Sequence, residues 1–512
     1  MSSALDTAQT VPLTRKALGL REGAAPVPDV RIVHLGLGAF HRAHQAWFTA
    51  QVDDKAEWGI AAFTGRNPKA ALELSPQDGL FTLIERSETG DSATVITSIV
   101  EAIDGADLAR LIEVLAAPQT AIVTTTITEA GYRLTAGGLP NLADPAVVAD
   151  AAWLKAAFAA NARDDSLAGP AAAGRAGLAG DAGDAGLAGL AGLPCHAGLA
   201  GGVGPTTTLG RLLLGLEARR RADAGPIAIV PCDNMPHNGV FVATGVTALA
   251  RAASVELADW IDANVSFVST SVDRITPQTT PDDLAAAAAL TGWQDNAPVV
   301  TEPFKDWVLS GRFPAGRPAW EKAGARFVDD IEPFERRKLW LLNGAHSLLA
   351  YAGLLRGYET VAAAMSDELC RGWVDEFWDA AVRHLPASGL ALEQYRAALV
   401  ERFDNARIEH KLSQISAEGV TKLRVRIAPI VLAERADGRD AAAGIRALGS
   451  WVALVLSGRK LVDGESVALA AALGRPREQA IDELVALVDP RLAADSVVMA
   501  GIRAVLEETA GA

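Results

Sequence analysis

Cysteine is nearly missing. Cys195, Cys232 and Cys370 are the three in 512 residues, too few for a disulfide framework, and no Cys-x-x-Cys or Cys/His spacing offers a metal site. That usage suits a reducing, cytoplasmic setting. Positive charge is outweighed, with 47 Lys and Arg against 62 Asp and Glu and a formal net charge of −15. The balance excludes a general affinity for nucleic acid or an anionic membrane and leaves room only for a local basic site. No apolar run approaches the ~18 residues of a membrane span. The opening stretch, MSSALDTAQTVPLTRKALGL, has no apolar core of the signal-peptide kind. The partners left are small molecules. Single cores stop growing near ~250–300 residues, so the chain holds at least two domains.

What is present falls into blocks. Residues 1–29 read as a mobile leader. From residue 30 short β-branched runs alternate with helical patterns: strands at 31–35, 58–63, 81–85, 94–100, 120–128, 227–231 and 267–272, helices at 107–116, 207–221 and 240–253. Such alternation predicts an α/β domain with a largely parallel sheet. Between 164 and 204, 24 of 41 residues are Gly or Ala, with glycine at every third position from 174 to 192. Only Pro170 and Pro194 break the tract, which excludes a collagen helix and reads as a low-complexity insertion. Near 325 the pattern turns almost wholly helical. The expected class is α/β plus all-α: a Rossmann-type dinucleotide-binding domain over 30–325 and a helical domain over 326–512.

Gly36-Leu-Gly38 follows the first strand and opens a helix, the setting in which a glycine turn receives a pyrophosphate. The third glycine of the usual fingerprint is replaced by His41. The segment Phe40-His41-Arg42-Ala43-His44-Gln45 is unusually polar and cationic for a helix start; Arg42 suits a phosphate, and a solvated face is the plain alternative for Arg42 and His44. The second strand runs into Thr64, Gly65 and Arg66, with no acid for an adenosine ribose hydroxyl. Arg66 suits a 2′-phosphate, so NAD and NADP both stay open.

Three further segments carry candidate chemistry. Asn234, in CDNMPHNG at 232–239, lies past the C-terminal end of a strand, where α/β sheets bind ligands, although Asp and Asn there also suit a plain cap. Glu335, Lys338, Asn343 and His346 share one stretch. At about 100° per residue, with Lys338 at zero, they fall near about 60°, 140° and 80°, within one arc that also carries leucines. A half-buried lysine would be a base near neutral pH, and an amide N–H would hold an alkoxide. The alternative is a solvated face with a Glu335–Lys338 pair.

Together GLGAFHRAHQ (36–45), Thr128-Glu129-Ala-Gly-Tyr132, CDNMPHNG (232–239), VDRITP (272–277), EPFKDW (302–307) and Lys338-x4-Asn343-x2-His346 resemble the long-chain polyol-specific dehydrogenases, the family of mannitol 2-dehydrogenase and fructuronate (mannonate) reductase. The resemblance implies a metal-independent, NAD(P)-linked oxidoreductase that interconverts a polyol and a ketose, and a monomer. It assigns Lys338 as general base, Asn234 and Asn343 as alkoxide donors, His346 as substrate-orienting group and Glu335 as proton relay. It sets Gly36, Gly38, Phe40, Arg42, Arg66, Thr128 and Glu129 around the dinucleotide, NAD first and NADP not excluded. A hexuronate substrate is the alternative; its carboxylate would need a cation, for which Lys411, Lys422, Arg424 and Arg426 are available. A non-catalytic nucleotide-binding protein is the reading from another class.

Overall fold

Six apolar runs pair side by side. In chain order they are β1 (Val30–Leu35), β2 (Gly59–Phe63), β3 (Ile99–Ile103), β4 (Ile122–Thr125), β5 (Ile227–Pro231) and β6 (Val265–Phe267). Their spatial order is 3-2-1-4-5-6, and every pairing is parallel. That is the dinucleotide-binding order, whose strand order reverses between β1 and β4. Side chains alternate across the sheet and both faces are buried. Val33, Ala61, Val123 and Ile229 enter one core with Leu111, Leu115, Leu212 and Leu216 of two covering helices. Ile32, Ala62, Ile122 and Val230 enter the other core with Phe48, Trp307 and Trp320. A sheet covered on both faces explains why its strands read as continuous apolar runs.

The computed structural model describes residues 10–23, 26–167, 204–459 and 461–511. It divides into two units, one running to Glu85 and again over Asp91–Ile331, the other comprising Arg86–Gly90 and Glu332 onward. The first is the Rossmann-type unit and the second is helical. The Gly/Ala tract lies, apart from its first four residues and Gly204, outside the described residues.

Two sequence readings change. Residues 11–22 are folded onto the first unit: Val11–Pro12 pairs with Trp293–Gln294, Thr14 caps the helix Arg15–Glu22, and Leu13 packs with Leu80 and Trp293. An anchor this short leaves no periodicity to read. The run expected as one strand at 267–272 is divided at Val268. Before it β6 joins the central sheet; after it Ser269–Asp273 pairs antiparallel with Asp306–Ser310. Among the described residues no helix is long and apolar enough to cross a membrane.

Candidate active site

A cleft of about 430 Å³ opens at the C-terminal edge of β1, β2 and β4, at the switch in strand order. This is the size and place at which α/β sheets bind ligands. Its wall includes Gly36, Thr64, Arg66, Thr126, Thr128 and Arg211. Gly36 has φ +111°, and a Cβ there would lie 2.4 Å from Thr126 O, so both its backbone angle and the approach of β4 demand glycine. We expect Gly36→Ala to weaken dinucleotide binding severely and to cost roughly 1–3 kcal/mol of stability, read by titration and by calorimetric melting. Binding and melting equal to the parent chain would show that the turn relaxes freely.

The polar start of the next helix is neither a phosphate grip nor a solvated face. Arg42 is buried; its Nη1 donates to Ala297 O at 2.5 Å and its Nε to Gly38 O at 3.2 Å. The expected phosphate contact of Arg42 is therefore corrected to a tether that ties the glycine loop to residue 297. His41, in the place of the third glycine, stacks on His34 with ring centroids 3.3 Å apart. His34 bonds Thr124 Oγ1 and Thr126 Oγ1, and burial pulls its pKa down to about 3, so the ring is neutral. A flat neutral ring thus fills the helix–strand contact that a glycine usually makes. Of the expected dinucleotide residues, Gly36, Arg66 and Thr128 line the cleft; Gly38, Phe40, Arg42 and Glu129 do not. Arg133, Arg211 and Gly105 line it without having been singled out, because none of them stands in a motif that announces a ligand.

The CDNMPHNG loop leaves the end of β5. Asp233 is buried and accepts from Tyr132 Oη at 2.6 Å, which links this loop to the Thr128–Tyr132 motif. Burial raises the Asp233 pKa. Asn238 Nδ2 donates to Pro231 O and Thr270 O, each at 3.1 Å. Asp233 and Asn238 thus fasten both sides of Asn234, which is left exposed. The motifs at 272–277 and 302–307 have a similar supporting part: buried Arg274 donates to Ala43 O at 2.6 Å and to Glu302 O at 3.2 Å.

In the second unit, Glu335, Lys338, Asn343 and His346 lie on one continuous helical rod. It is α-helical over Glu332–Arg337, widens to i→i+5 bonding over Lys338–Gly344, and returns to α over Ala345–Leu355. The uniform α spacing used above therefore fails across this stretch. A turn closed from i to i+5 sets Lys338 and Asn343 on the same face, where an α-helix would splay them. Widening displaces carbonyls from the ladder, and side chains bond them: Trp378 Nε1 donates to Leu341 O at 2.7 Å, and Arg426 Nη1 to Asn343 O at 3.3 Å. Glu335, Lys338 and Asn343 are half-buried, while His346 is buried.

Around His346 the charge is of one sign. Its ring lies 4.7 Å from Phe403 and edge-on to His410 at 4.8 Å, and its Nε2 has no hydrogen-bond partner among the described residues. Its pKa is well below the usual value, first through burial and then through His410, Arg402, Arg426 and Lys422. The ring is therefore neutral near pH 7. Lys422 is itself drawn down to about 8, by burial and by Arg426, against the opposing pull of Glu418 and Asp463. Of the four cations considered from the sequence, Lys422 and Arg426 act on His346. Arg424 turns instead to Val488 O and Leu487 O, and Lys411 is exposed. Arg402 and His410 were not foreseen. Among the described residues no group of three His, Cys, Asp or Glu is placed to hold a metal ion.

Two family models match: the mannitol dehydrogenase Rossmann domain over residues 30–322 and the mannitol dehydrogenase C-terminal domain over 330–486. The D-mannonate oxidoreductase of Escherichia coli (strain K12) is 33% identical over 440 residues, covering 84% of this chain and 78% of that protein. A mannitol 2-dehydrogenase of Aspergillus terreus (strain NIH 2624 / FGSC A1156) is 34% identical over 436 residues, covering 82% and 76%. Among solved structures, the ternary complex of Pseudomonas fluorescens mannitol 2-dehydrogenase with NAD and D-mannitol aligns with TM-score 0.70 and 29% identity over 94% of this chain and 95% of that one.

Proposed function

The chain belongs to the mannitol dehydrogenase family of oxidoreductases, and from that premise we propose that it interconverts a secondary alcohol and a ketone on a sugar acid, with a nicotinamide dinucleotide and a lysine base. The cleft beside Gly36 suits a dinucleotide by size, position and close backbone approach. When bound there, the dinucleotide supplies or accepts the hydride. The chain's own residues do the rest. Lys338 Nζ takes the hydroxyl proton in oxidation and returns it in reduction. The Asn343 amide, on the same rod, donates to the oxygen as negative charge gathers on it. Neutral His346, with Nε2 available, orients a neighbouring hydroxyl, and Glu335, one turn before Lys338, passes the proton on toward water.

The observation that carries the base assignment is the widened turn. Wide i→i+5 turns are rare and frequently sit at functional sites; of those at Arg42–Ala46 and Lys338–Gly344, the second begins at Lys338 and spans Asn343. The sugar-acid reading, in preference to a neutral polyol and ketose such as mannitol and fructose, is supported by the basic groups gathered on His346. A carboxylate at the far end of the substrate would be drawn to them by charge.

A rate comparison tests this reading. With EDTA present, we expect reduction of fructuronate or tagaturonate to exceed that of fructose by at least about 100-fold in kcat/KM, the scale of one buried charge-assisted contact. Faster turnover of fructose would return the assignment to the polyol–ketose pair. Dinucleotide binding without turnover of either class would favour a non-catalytic protein.

A further inference from the structure

The adenosine end of the cleft carries a specificity of its own. In this fold an acid after the second strand takes the ribose 2′-hydroxyl, whereas an arginine nearby accommodates a 2′-phosphate. β2 ends at Phe63, and Thr64, Gly65 and Arg66 follow it along the cleft wall. None is acidic, and Thr64 Oγ1 is occupied by Gly105 N at 2.9 Å. Gly65 and Gly105 keep this corner shallow. A Cβ on Gly105 would lie 2.0 Å from Thr64 O and 2.8 Å from Arg211 Nη1, so the two loops and that guanidinium are packed together.

The charge here is positive. Arg66, Arg133 and Arg211 line the cleft, and Asp144 is its one acidic lining residue. Asp144 is held by Arg133 at 2.5 Å, which leaves two arginines uncompensated by the lining. Arg211 also feels the attraction of Asp150 and Asp104, neither of which lines the cleft. Asp150 accepts from the backbone N–H groups of Thr206 and Thr207, and Asp104 from Ala106 N. The contact of Arg211 with Gly65 O, at 3.5 Å, is long and readily exchanged for a better acceptor. Arg66 is exposed at the wall and makes no ion pair with a described carboxylate.

We infer that the corner formed by Thr64–Arg66, Gly105 and Arg211 receives the 2′-phosphate of NADP(H), with Arg66 as its principal ligand, so that the chain prefers NADP(H) to NAD(H). The inference rests on the dinucleotide reading of the cleft and departs from the NAD that the family resemblance put first.

The test is binding, with the full chain and no substrate. NADPH and NADH are titrated by nicotinamide fluorescence against the parent chain, Arg66→Ala and Arg211→Ala. The parent should bind NADPH at least about 10-fold more tightly than NADH, the scale of a charge-assisted contact at an exposed site. Arg66→Ala should lose about 10-fold or more in NADPH affinity, with NADH unchanged within about twofold. Arg211→Ala should lose less, in the same direction. Equal or tighter binding of NADH by the parent chain overturns the inference while leaving the oxidoreductase reading intact, as does an equal loss for both dinucleotides in Arg66→Ala. Failure of the parent to bind either one overturns the dinucleotide reading along with it. Arg66 is exposed, so its alanine variant should melt with the parent, and the comparison does not depend on a refolded core.

Discussion

Lys338→Ala should lower kcat by about 100- to 10,000-fold, the range a positioned general base contributes, while leaving dinucleotide affinity within about twofold. The two halves of this expectation have separate origins. The cleft beside Gly36 is lined wholly by the first unit, so removing a side chain of the second should not alter its wall. Loss of the proton acceptor, by contrast, leaves the hydroxyl to ionise unaided. Lys338→Arg should fail almost as badly, because a guanidinium stays protonated and is no base near neutral pH. The arginine variant keeps the charge and most of the bulk, so it separates the loss of a base from the loss of a cation. Calorimetric melting of both variants checks that the rod still folds. If Lys338→Ala retained ordinary turnover with fructuronate, the lysine assignment would be wrong whatever the substrate.

Residue types were legible in the sequence where chemistry or periodicity forced them. The alternation of Ile32 and Val33, of Ala61 and Ala62, and of Ile122 and Val123 between two cores follows from a sheet buried on both faces, and short β-branched runs announce it. Lys338, Asn343 and His346 were legible as a spacing. Their arrangement was not, because residues 338–344 look like any apolar helical turn. What widens the turn is tertiary: Trp378 and Arg426 bond carbonyls of the stretch from elsewhere in the unit. Arg42 failed for a related reason. A cation at a helix start beside a glycine loop reads as a phosphate ligand, but its partner, Ala297 O, lies 255 residues away and has no sequence signature. Arg402 and His410 were missed because local pattern carries nothing about which cations converge on one imidazole. Residues 11–22 read as part of a leader because a two-residue strand and an eight-residue helix are too short for periodicity to register.

The largest change in substrate choice should come from the cations around His346. Arg426 is buried deeply enough that its pKa falls to about 10, so it is charged throughout the working range, whereas Lys422, at about 8, is not. Both bear on His346, yet they differ in what else they hold. Arg426 supports the widened turn through Asn343 O and Ser347 Oγ, so Arg426→Leu should slow acidic and neutral substrates alike, besides lowering the preference for the acid. Lys422 donates to Ile415 O at 2.8 Å and touches nothing on the rod by hydrogen bond, which makes Lys422→Met the cleaner probe. The ratio of kcat/KM for fructuronate to that for fructose should fall by on the order of 100-fold in Lys422→Met, through loss of a half-buried ammonium facing a carboxylate. The same group predicts a pH dependence. An ammonium carries its charge below its pKa and loses it above, and kcat/KM reports the free enzyme. The ratio should therefore be flat below about pH 7 and decline as pH rises through about 8. Taking the ratio cancels any titration of Lys338, since both substrates need that base. In Lys422→Met the decline should vanish, because the methionine has nothing to lose. An unchanged ratio in Lys422→Met, with the decline still present, would place the titrating group elsewhere and remove the main support for a sugar-acid substrate.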